Sequence, residues 1–296
     1  EDRARHLYII GQTGTGKTAL VKNLIIQDIE AGNGICFIDA HGDGVKELLR
    51  LIPRRFYPKI IYFNPGDPQW IPLWNPLRLP TGGDAYRLAD DIVSVFKRIM
   101  DDWGDRMEHV IRNGLIGLSY LGNMTLADLY DLTRQNTTES EELRQLIIKA
   151  AVDAPVRRFW QKDFKDVYRK ADLSAPRHKL SKLVSGGSVA RMLSQPESRI
   201  DFSDIMDNGK ILLVDLSDLG AEVRRILGSI MLALLLIASL CRSKQAIKQR
   251  KPFSIFVDEA HLFVEAEALE AMLAELRKFG GRLCIGHQFL SQFNTS

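Results

Sequence analysis

Residues 7–18, LYIIGQTGTGKT, join a short apolar run to a glycine-rich loop that ends in Lys17 and Thr18. The loop matches the spacing G-x-x-x-x-G-K-[ST], and residues 19–30 continue with apolar side chains at helical spacing. Glycines in such a loop let backbone N–H groups surround phosphate oxygens, and the start of the next helix adds the positive end of its dipole. A strand, a loop and a helix in this order predict a site for a nucleoside triphosphate.

The loop predicts which residues bind the nucleotide and its metal. Lys17 is placed to bridge the β- and γ-phosphates of ATP, and the Thr18 hydroxyl is placed to ligate Mg²⁺. ATP and Mg²⁺ are therefore the predicted cofactors. The predicted nucleotide-binding residues are Gly11, Thr13, Gly14, Thr15, Gly16, Lys17, Thr18 and Ala19.

A second apolar run, residues 254–257, ends in two acidic residues, Asp258 and Glu259. In an ATPase the first acid of such a pair holds Mg²⁺ and the second polarises the attacking water. We therefore predict Asp258 as a metal ligand and Glu259 as a catalytic residue. Acids that cap a helix after a strand are the plain alternative, and the phosphate loop in the same chain favours the catalytic interpretation.

Polar residues also follow other apolar runs. His287 and Gln288 follow residues 283–286, and the carboxyl ends of parallel strands form the ligand edge of an α/β sheet. Gln288 is predicted to sense the γ-phosphate or to orient water, with an ordinary loop residue as the alternative, whereas His287 is expected to pack. Asp39 and Asp215 end two further apolar runs and are secondary candidates for the same sheet edge. Helix capping explains these two acids at least as well as a role in the site.

An arginine that reaches a neighbouring subunit is a common requirement of ring-forming ATPases. The segment RKFGGR, residues 277–282, follows a helical pattern and supplies two candidates. Arg277 is the first candidate for this catalytic role and Arg282 is the second. Basic residues in the last turn of a helix also suit its dipole, which is a sufficient structural explanation.

The order of the predicted elements indicates one α/β domain interrupted by a helical block. Strands are predicted at 7–10, 35–39, 59–63, 211–215, 254–258 and 283–286, and helices between them at 19–30, 45–51, 225–242 and 266–279. Such alternation favours a mainly parallel sheet flanked by helices. We predict a discontinuous nucleotide-binding domain, residues 1–80 and 205–296, and an all-helical insert, residues 84–204.

Composition limits the class of protein without deciding it. The chain has 296 residues, of which 45% are hydrophobic, enough for a sizeable core. Its net charge of +3 permits a nucleic-acid partner without implying one. The three cysteines lack metal-ligand spacing and are expected to be buried thiols in a reducing cytosol. The longest uncharged stretch, residues 226–241, is shorter than the ~20 residues of a membrane span and predicts a buried helix.

Two basic segments are candidates for contact with DNA. Residues 157–182 carry nine Lys/Arg against three Asp, and residues 242–251 carry five basic residues and no acid. Cations interleaved with aromatic residues can bind single strands, but aromatic residues in the core of a helical block explain the first segment better. The second is compatible with a solvated loop or a loop that faces DNA. The aromatic residues of the first segment are Phe159, Trp160, Phe164 and Tyr168.

Taken in order, the motifs resemble those of the FtsK/HerA-type P-loop DNA-pumping ATPases, especially the coupling-protein (TraG-like) ATPases of conjugation and type IV secretion. Beyond the phosphate loop and the Asp258–Glu259 strand, the resemblance covers nearly the whole chain. The further segments that carry it are FIDAHGD (37–43), FNPGD (63–67), PLWNPL (72–77), IMDNGKILLVDLS (205–217), AELRKFG (274–280) and HQ (287–288).

The resemblance implies a RecA-like fold with an all-helical insert. It also implies a homo-hexameric ring that hydrolyses ATP to move single- or double-stranded DNA through a central channel. Secretion-channel proteins and relaxases are the implied partners. Coupling proteins carry N-terminal transmembrane helices, which this sequence does not include. We expect both ends of the sequence to be internal positions of a longer protein. Either the transmembrane helices lie outside this sequence or the protein is a soluble relative. The expected location is the cytoplasm, at the inner membrane if such helices are present.

Three other functions fit parts of the pattern. One is an ATPase that drives secretion of protein substrates, for which DNA would be irrelevant. Another is a HerA-like translocase of DNA repair. A third is an assembly scaffold that binds ATP without turning it over, and Glu259 argues against it because a scaffold does not need a carboxylate that polarises water.

Overall fold

The computed structural model describes residues 5–12, 14–135, 137–169, 171–264 and 266–288. Within them, six strands form one sheet in the order β1-β6-β5-β2-β4-β3, and every neighbouring pair is parallel. The predicted parallel α/β sheet is confirmed. The strands are β1 (Leu7–Ile10), β2 (Gly34–Asp39), β3 (Ile60–Phe63), β4 (Ile211–Asp215), β5 (Phe253–Val257) and β6 (Gly281–His287).

The helices fall into two groups, one beside the sheet and one formed by residues 68–200, which lie between β3 and α11 in the chain. Those beside the sheet are α1 (Lys17–Glu30), α2 (Asp43–Leu51), α11 (Phe202–Asp207), α12 (Ala221–Cys241) and α13 (Ala266–Glu275). Those of residues 68–200 are α3 (Ala85–Ile99), α4 (Asp105–Ser119), α5 (Leu126–Leu132), α6 (Thr138–Ala150), α7 (Ala154–Arg158), α8 (Phe164–Val167), α9 (Ser174–Val184) and α10 (Gly187–Leu193).

The centre of the sheet is built from continuous apolar runs. Every residue of β2, β4 and β5 is buried, as expected for parallel strands covered on both faces. Ile25 and Ile29 of α1 pack against this sheet in one hydrophobic cluster, together with Leu48 of α2. Because all strands run the same way, their carboxyl ends, with the acids that follow them, share one edge.

The described residues form two compact units, which meet in the chain at Asp67/Pro68 and at Ile200/Asp201. The first unit therefore ends earlier than residue 80, where the sequence placed it. Residues 68–80 belong to the helical unit because their buried side chains are satisfied there. Trp74 is 1% exposed, and the Asn75 amide donates to the carbonyls of Met124 and Pro196 at 2.9 and 3.3 Å.

Helix α12 is longer than the predicted apolar stretch. In the described part of the chain, Ala221–Lys244 alone is long and apolar enough to cross a membrane by length and composition, and 72% of its most apolar window is buried inside the protein. Gly228 lets the helix approach closely, since a Cβ there would lie 2.4 Å from Phe263 Cδ1. The Ser229 hydroxyl donates to the Phe263 carbonyl at 2.7 Å. These contacts show α12 packed as a core helix.

The aromatic residues of segment 157–182 form the core of the helical unit. Phe159, Trp160, Phe164 and Tyr168 are between 0 and 6% exposed. The Phe159 and Trp160 rings meet edge to face with centroids 4.9 Å apart, and Trp160 Nε1 donates to the Asn113 carbonyl at 3.2 Å. These four rings are therefore not a surface for stacking bases, and the core explanation of this segment is correct.

Candidate functional site

The glycine-rich loop connects β1 to α1 at the carboxyl edge of the sheet. Gly14 and Gly16 have φ of 85° and 88°, a left-handed conformation that glycine adopts without strain. The Thr15 hydroxyl donates to the Gln12 carbonyl at 2.7 Å, which closes the turn. Helix α1 then begins at Lys17, so its free N–H groups face the loop. This arrangement provides the predicted cradle for phosphate oxygens.

Lys17 lies beside the acid that the sequence assigned to catalysis. Its Nζ is 3.4 Å from Glu259 Oε1, and both side chains are only 8% exposed. The Gln288 amide donates to the same oxygen at 3.0 Å. Three residues predicted from separate motifs thus meet at one carboxylate, although Lys17 and Glu259 are 242 positions apart.

Asp258 follows β5 directly and is held by the neighbouring strand. Its N–H donates to the Ile38 carbonyl at 3.1 Å, and its Oδ1 accepts from the Glu259 N–H at 3.0 Å. Burial raises the pKa of Asp258, and the charges of Glu259 and Asp39 raise it further, whereas the Lys17 ammonium lowers it. Such a crowded carboxylate gains from a nearby cation.

Glu259 has an unusual backbone conformation. Its φ is 50° and it precedes the 3₁₀ turn Ala260–Leu262. A non-glycine residue in the left-handed region costs of order 1–3 kcal/mol and is concentrated at functional sites. The side chain is nevertheless buried, at 6% exposure of the residue. The turn therefore holds the carboxylate toward Lys17 rather than toward solvent.

A cavity of about 500 Å³ connects these groups. Of the predicted residues, Gly14, Gly16, Lys17, Thr18, Ala19, Asp258, Glu259 and Gln288 all line it. Gly11 and Thr15 lie in the loop but not in the lining, and Thr13 lies outside the described residues. Other lining residues are Gln12, Asp39, His41, Asp43 and Gly44.

The donors in the cavity fit Mg²⁺ better than a metal held wholly by protein. Thr18 and Asp258 contribute a hydroxyl and a carboxylate oxygen, the hard ligands that Mg²⁺ prefers. Among the described residues there is no group of three or more His, Cys, Asp or Glu that could hold a metal. A metal here would therefore complete its shell with water and phosphate oxygens, as Mg²⁺ commonly does.

Asp39 and Asp215 have structural roles. Asp39 accepts from the backbone N–H groups of His41 and Val45 at 2.8 and 3.1 Å, which fixes the start of α2. Asp215 is fully buried and accepts from the Ser217 N–H and hydroxyl at 3.0 and 2.7 Å. Asp39 also lines the cavity, so it contributes negative charge there as well.

Sequence reasoning missed one neighbour of Glu259. His261 Nδ1 lies 3.4 Å from Glu259 Oε2, whereas Lys17 approaches the other oxygen of that carboxylate. Its position two residues after Glu259 was the available signal. Burial lowers the pKa of His261, and the Lys17 and Arg225 charges lower it further, against the opposing effect of Glu259. His287 is fully buried and meets the Tyr8 ring edge to face at 4.8 Å.

The two candidate arginines lie far from this cavity. Arg277 precedes β6 and Arg282 is its second residue, whereas Gln288 follows the end of that strand. A seven-residue strand is roughly 20 Å long, so the arginines and Gln288 lie at opposite edges of the sheet. Arg282 faces Asp28 at 3.7 Å. Neither arginine can reach the phosphate loop of its own chain, so a role for Arg277 in a neighbouring subunit stays a prediction.

The basic segment 242–251 is partly structural. Arg242 is 2% exposed, and its Nε donates to Asp207 at 2.9 Å. Arg250 donates to the carbonyls of Gln245 and Lys278 at 2.8 Å each. These two cations hold the loops at the amino edge of the sheet together. Of the five basic residues in the segment, the exposed ones are Lys244, Lys248 and Lys251.

Comparison with known proteins places this geometry in one family. The model of the type IV secretion-system coupling protein DNA-binding domain matches residues 1–296. The plasmid coupling protein TrwB in complex with ADP and Mg²⁺ is similar with a TM-score of 0.67 and 21% identity, covering 98% of this chain and 65% of that one. Its complex with the ATP analogue ADPNP gives a TM-score of 0.66 and 20% identity over the same shares.

A second kind of protein shares the fold. VirB4 of Thermoanaerobacter pseudethanolicus is similar with a TM-score of 0.60 and 16% identity, covering 100% of this chain and 73% of that one. The likeness to these solved structures confirms the RecA-like P-loop fold class. The chain spans about two thirds of the length of the TrwB structures, 65%. Comparison with curated proteins gives no match.

Proposed function

The chain belongs to the family of type IV secretion-system coupling protein DNA-binding domains, and from that premise we propose that it hydrolyses ATP to move DNA. The observation that carries the proposal is the meeting of Lys17, Glu259 and Gln288 in the cavity beside the phosphate loop. A protein that only binds nucleotide needs nothing beyond the phosphate loop. A buried carboxylate held next to that loop supports hydrolysis as well.

The residues divide the reaction between binding and proton transfer. N–H groups of the loop and of the first turn of α1 would hold the phosphates, with Lys17 at the β- and γ-phosphates. Thr18 and Asp258 would hold Mg²⁺, which when bound neutralises phosphate charge. Glu259 would orient the attacking water and accept its proton as the bond to ADP breaks, and Gln288 would position that water. The TrwB complexes with ADP, Mg²⁺ and ADPNP support ATP and Mg²⁺ as the cofactors.

Lys17 has to change partner during the cycle. In the structure its ammonium lies on Glu259, whereas a bound triphosphate draws it to phosphate oxygens. The exchange frees the carboxylate for water only when nucleotide is in place. Binding and activation are thus linked through one ion pair.

The family is the basis for the proposed cargo and assembly. Its description as a DNA-binding domain supports DNA as the partner, and we propose a homo-hexameric ring in conjugation or type IV secretion. Secretion-channel proteins and relaxases are the proposed further partners. The proposed location is the cytoplasm, at the cytoplasmic face of the inner membrane if the full-length protein carries a membrane anchor.

The test is ATP hydrolysis by the full-length protein that contains this chain, assembled with ATP and with single- or double-stranded DNA. We expect DNA to stimulate ATP hydrolysis. Lys17→Ala and Glu259→Gln should each lower the rate of hydrolysis by a factor of about 10²–10⁴. A sizing measurement in the same buffers shows whether the protein assembles into a ring. If neither single- nor double-stranded DNA stimulates hydrolysis by the assembled ring, the DNA-motor proposal is refuted. Stimulation by a secreted protein instead would favour the protein-secretion alternative.

A further inference from the structure

Trp70 is the most exposed aromatic side chain among the described residues of the helical unit. Trp70 is 80% exposed, whereas Trp74 and Trp160 are 1% and 0% exposed. Its neighbours Pro68 and Gln69 are also exposed, so the indole stands on a segment that faces solvent. An exposed indole offers a large apolar face at low entropic cost and is typical of binding sites.

A cation is fixed next to this segment. Arg191, on α10, is exposed, and its Nη2 donates to the Pro68 carbonyl at 3.3 Å, two residues from Trp70. Helix α10 packs against α9, which carries Arg177, Lys179 and Lys182. Residues 173–196 include these four Lys/Arg and no Asp or Glu. Helices α9 and α10 themselves therefore contribute four cations and no acid to this unit, and Arg191 is the one shown beside the segment of Trp70.

The charge of the whole chain is concentrated in the same unit. Residues 68–200 hold 20 Lys/Arg and 17 Asp/Glu, whereas the chain has 40 and 37. The remaining residues are therefore neutral, at 20 of each, and the net charge of +3 belongs to the helical unit. Net charge therefore favours this unit over the rest of the chain for contact with a polyanion.

We propose that Trp70 and Arg191 form a base-stacking site for single-stranded DNA, a site that rests on the proposed function. The indole would stack on an unpaired base, while Arg191 and the exposed Lys182 of α9 would contact phosphates. In a duplex the faces of the bases are covered by their neighbours, so a stacking indole favours a single strand. The four aromatic residues of segment 157–182 are core and cannot take this part.

The indole is its own probe. Titration of the full-length protein with a thymidine oligonucleotide should quench the tryptophan fluorescence, and Trp70→Phe should remove most of that change. Trp70→Ala should weaken binding of the single strand about 5- to 150-fold, the range of one lost stack, and Trp70→Phe should restore part of the affinity. Arg191→Ala should lower the slope of log affinity against log salt by roughly one.

The matched control is Trp103→Phe, which removes a half-buried indole of the same unit and should change neither binding nor hydrolysis. Circular dichroism and melting verify that each variant folds. If the unaltered protein binds no DNA, the proposed function fails. If the unaltered protein binds DNA and the Trp70→Ala variant binds the single strand equally well, the stacking site is refuted. It is also refuted if Trp70→Ala lowers the affinities for duplex and single-stranded DNA by the same factor. Loss of a protein partner with unchanged DNA binding refutes it too.

Discussion

Replacing Glu259 by Gln is expected to tighten the binding of ADP while it stops hydrolysis. The two effects have different causes. Hydrolysis stops because an amide cannot accept the proton of the attacking water, at a cost of about 10²–10⁴ in rate. Binding tightens because Lys17 no longer has to leave a carboxylate in order to reach the phosphates. ADP isolates the second effect, since it is not hydrolysed.

The size of the gain follows from the geometry of the ion pair. Unit charges separated by 3.4 Å attract each other by about 5 kcal/mol at an effective dielectric of about 20. Most of this is recovered when the ammonium moves to phosphate oxygens, and desolvation offsets part of the remainder. We expect a net gain of about 1.4 kcal/mol, which corresponds to roughly tenfold tighter binding.

Isothermal titration with ADP, in the presence of a chelator, measures the gain without a contribution from metal. The matched control is Gln288→Ala, which removes the amide from the same Glu259 oxygen but keeps the ion pair. The control should leave ADP affinity within about a factor of two. Equal or weaker binding of ADP by Glu259→Gln would show that the Lys17 contact does not compete with nucleotide, and the linkage proposed above would be wrong.

Two further predictions concern stability. Asp215→Ala should lower the free energy of unfolding by about 1–3 kcal/mol, measured with urea, because the half-buried Ser217 N–H and hydroxyl and the more exposed Tyr62 hydroxyl lose a fully buried acceptor. Tyr62→Phe is the control and should lose at most about 1 kcal/mol, and equal losses would contradict the assignment. Burial lowers the pKa of His6 from 6.5, so the unfolded chain binds the proton more readily and stability should fall as pH drops below 6.5 through the folded value. His6→Gln should flatten the fall of melting temperature over that window, and an unchanged slope would exclude His6 as its source.

Local spacing was enough to predict the elements that carry the site. The phosphate loop needs only eight consecutive residues, and each strand is a short apolar run bounded by polar ones. The shared edge of the sheet then follows, because parallel strands all present their carboxyl ends on one side. For this reason Lys17, Asp258 and Gln288 could be assigned to one site although they come from distant parts of the chain.

Contacts between distant side chains could not be predicted in this way. Nothing in the sequence around Arg242 distinguishes it from the exposed Lys244, yet Arg242 is buried on Asp207 because helix α12 ends against that acid. The early boundary at Asp67 has a similar cause, since Asn75 finds its acceptors at Met124 and Pro196. The burial of Arg242 and the position of this boundary depend on which buried polar groups need hydrogen-bond partners. Those partners are brought together only when the chain folds.

The charge of the cavity is a physical reason for the proposal that a neighbouring subunit contributes to the site. Asp39, Asp43, Asp258 and Glu259 line it, and Lys17 is the sole Lys or Arg among the described lining residues. A triphosphate adds further negative charge, which the loop N–H groups, Lys17 and Mg²⁺ offset only in part. The transition state spreads charge over the transferred phosphoryl group and gains most from one more cation. Because Arg277 lies at the opposite edge of the sheet, it can supply that cation only to another copy, and hydrolysis would then depend on assembly of the ring.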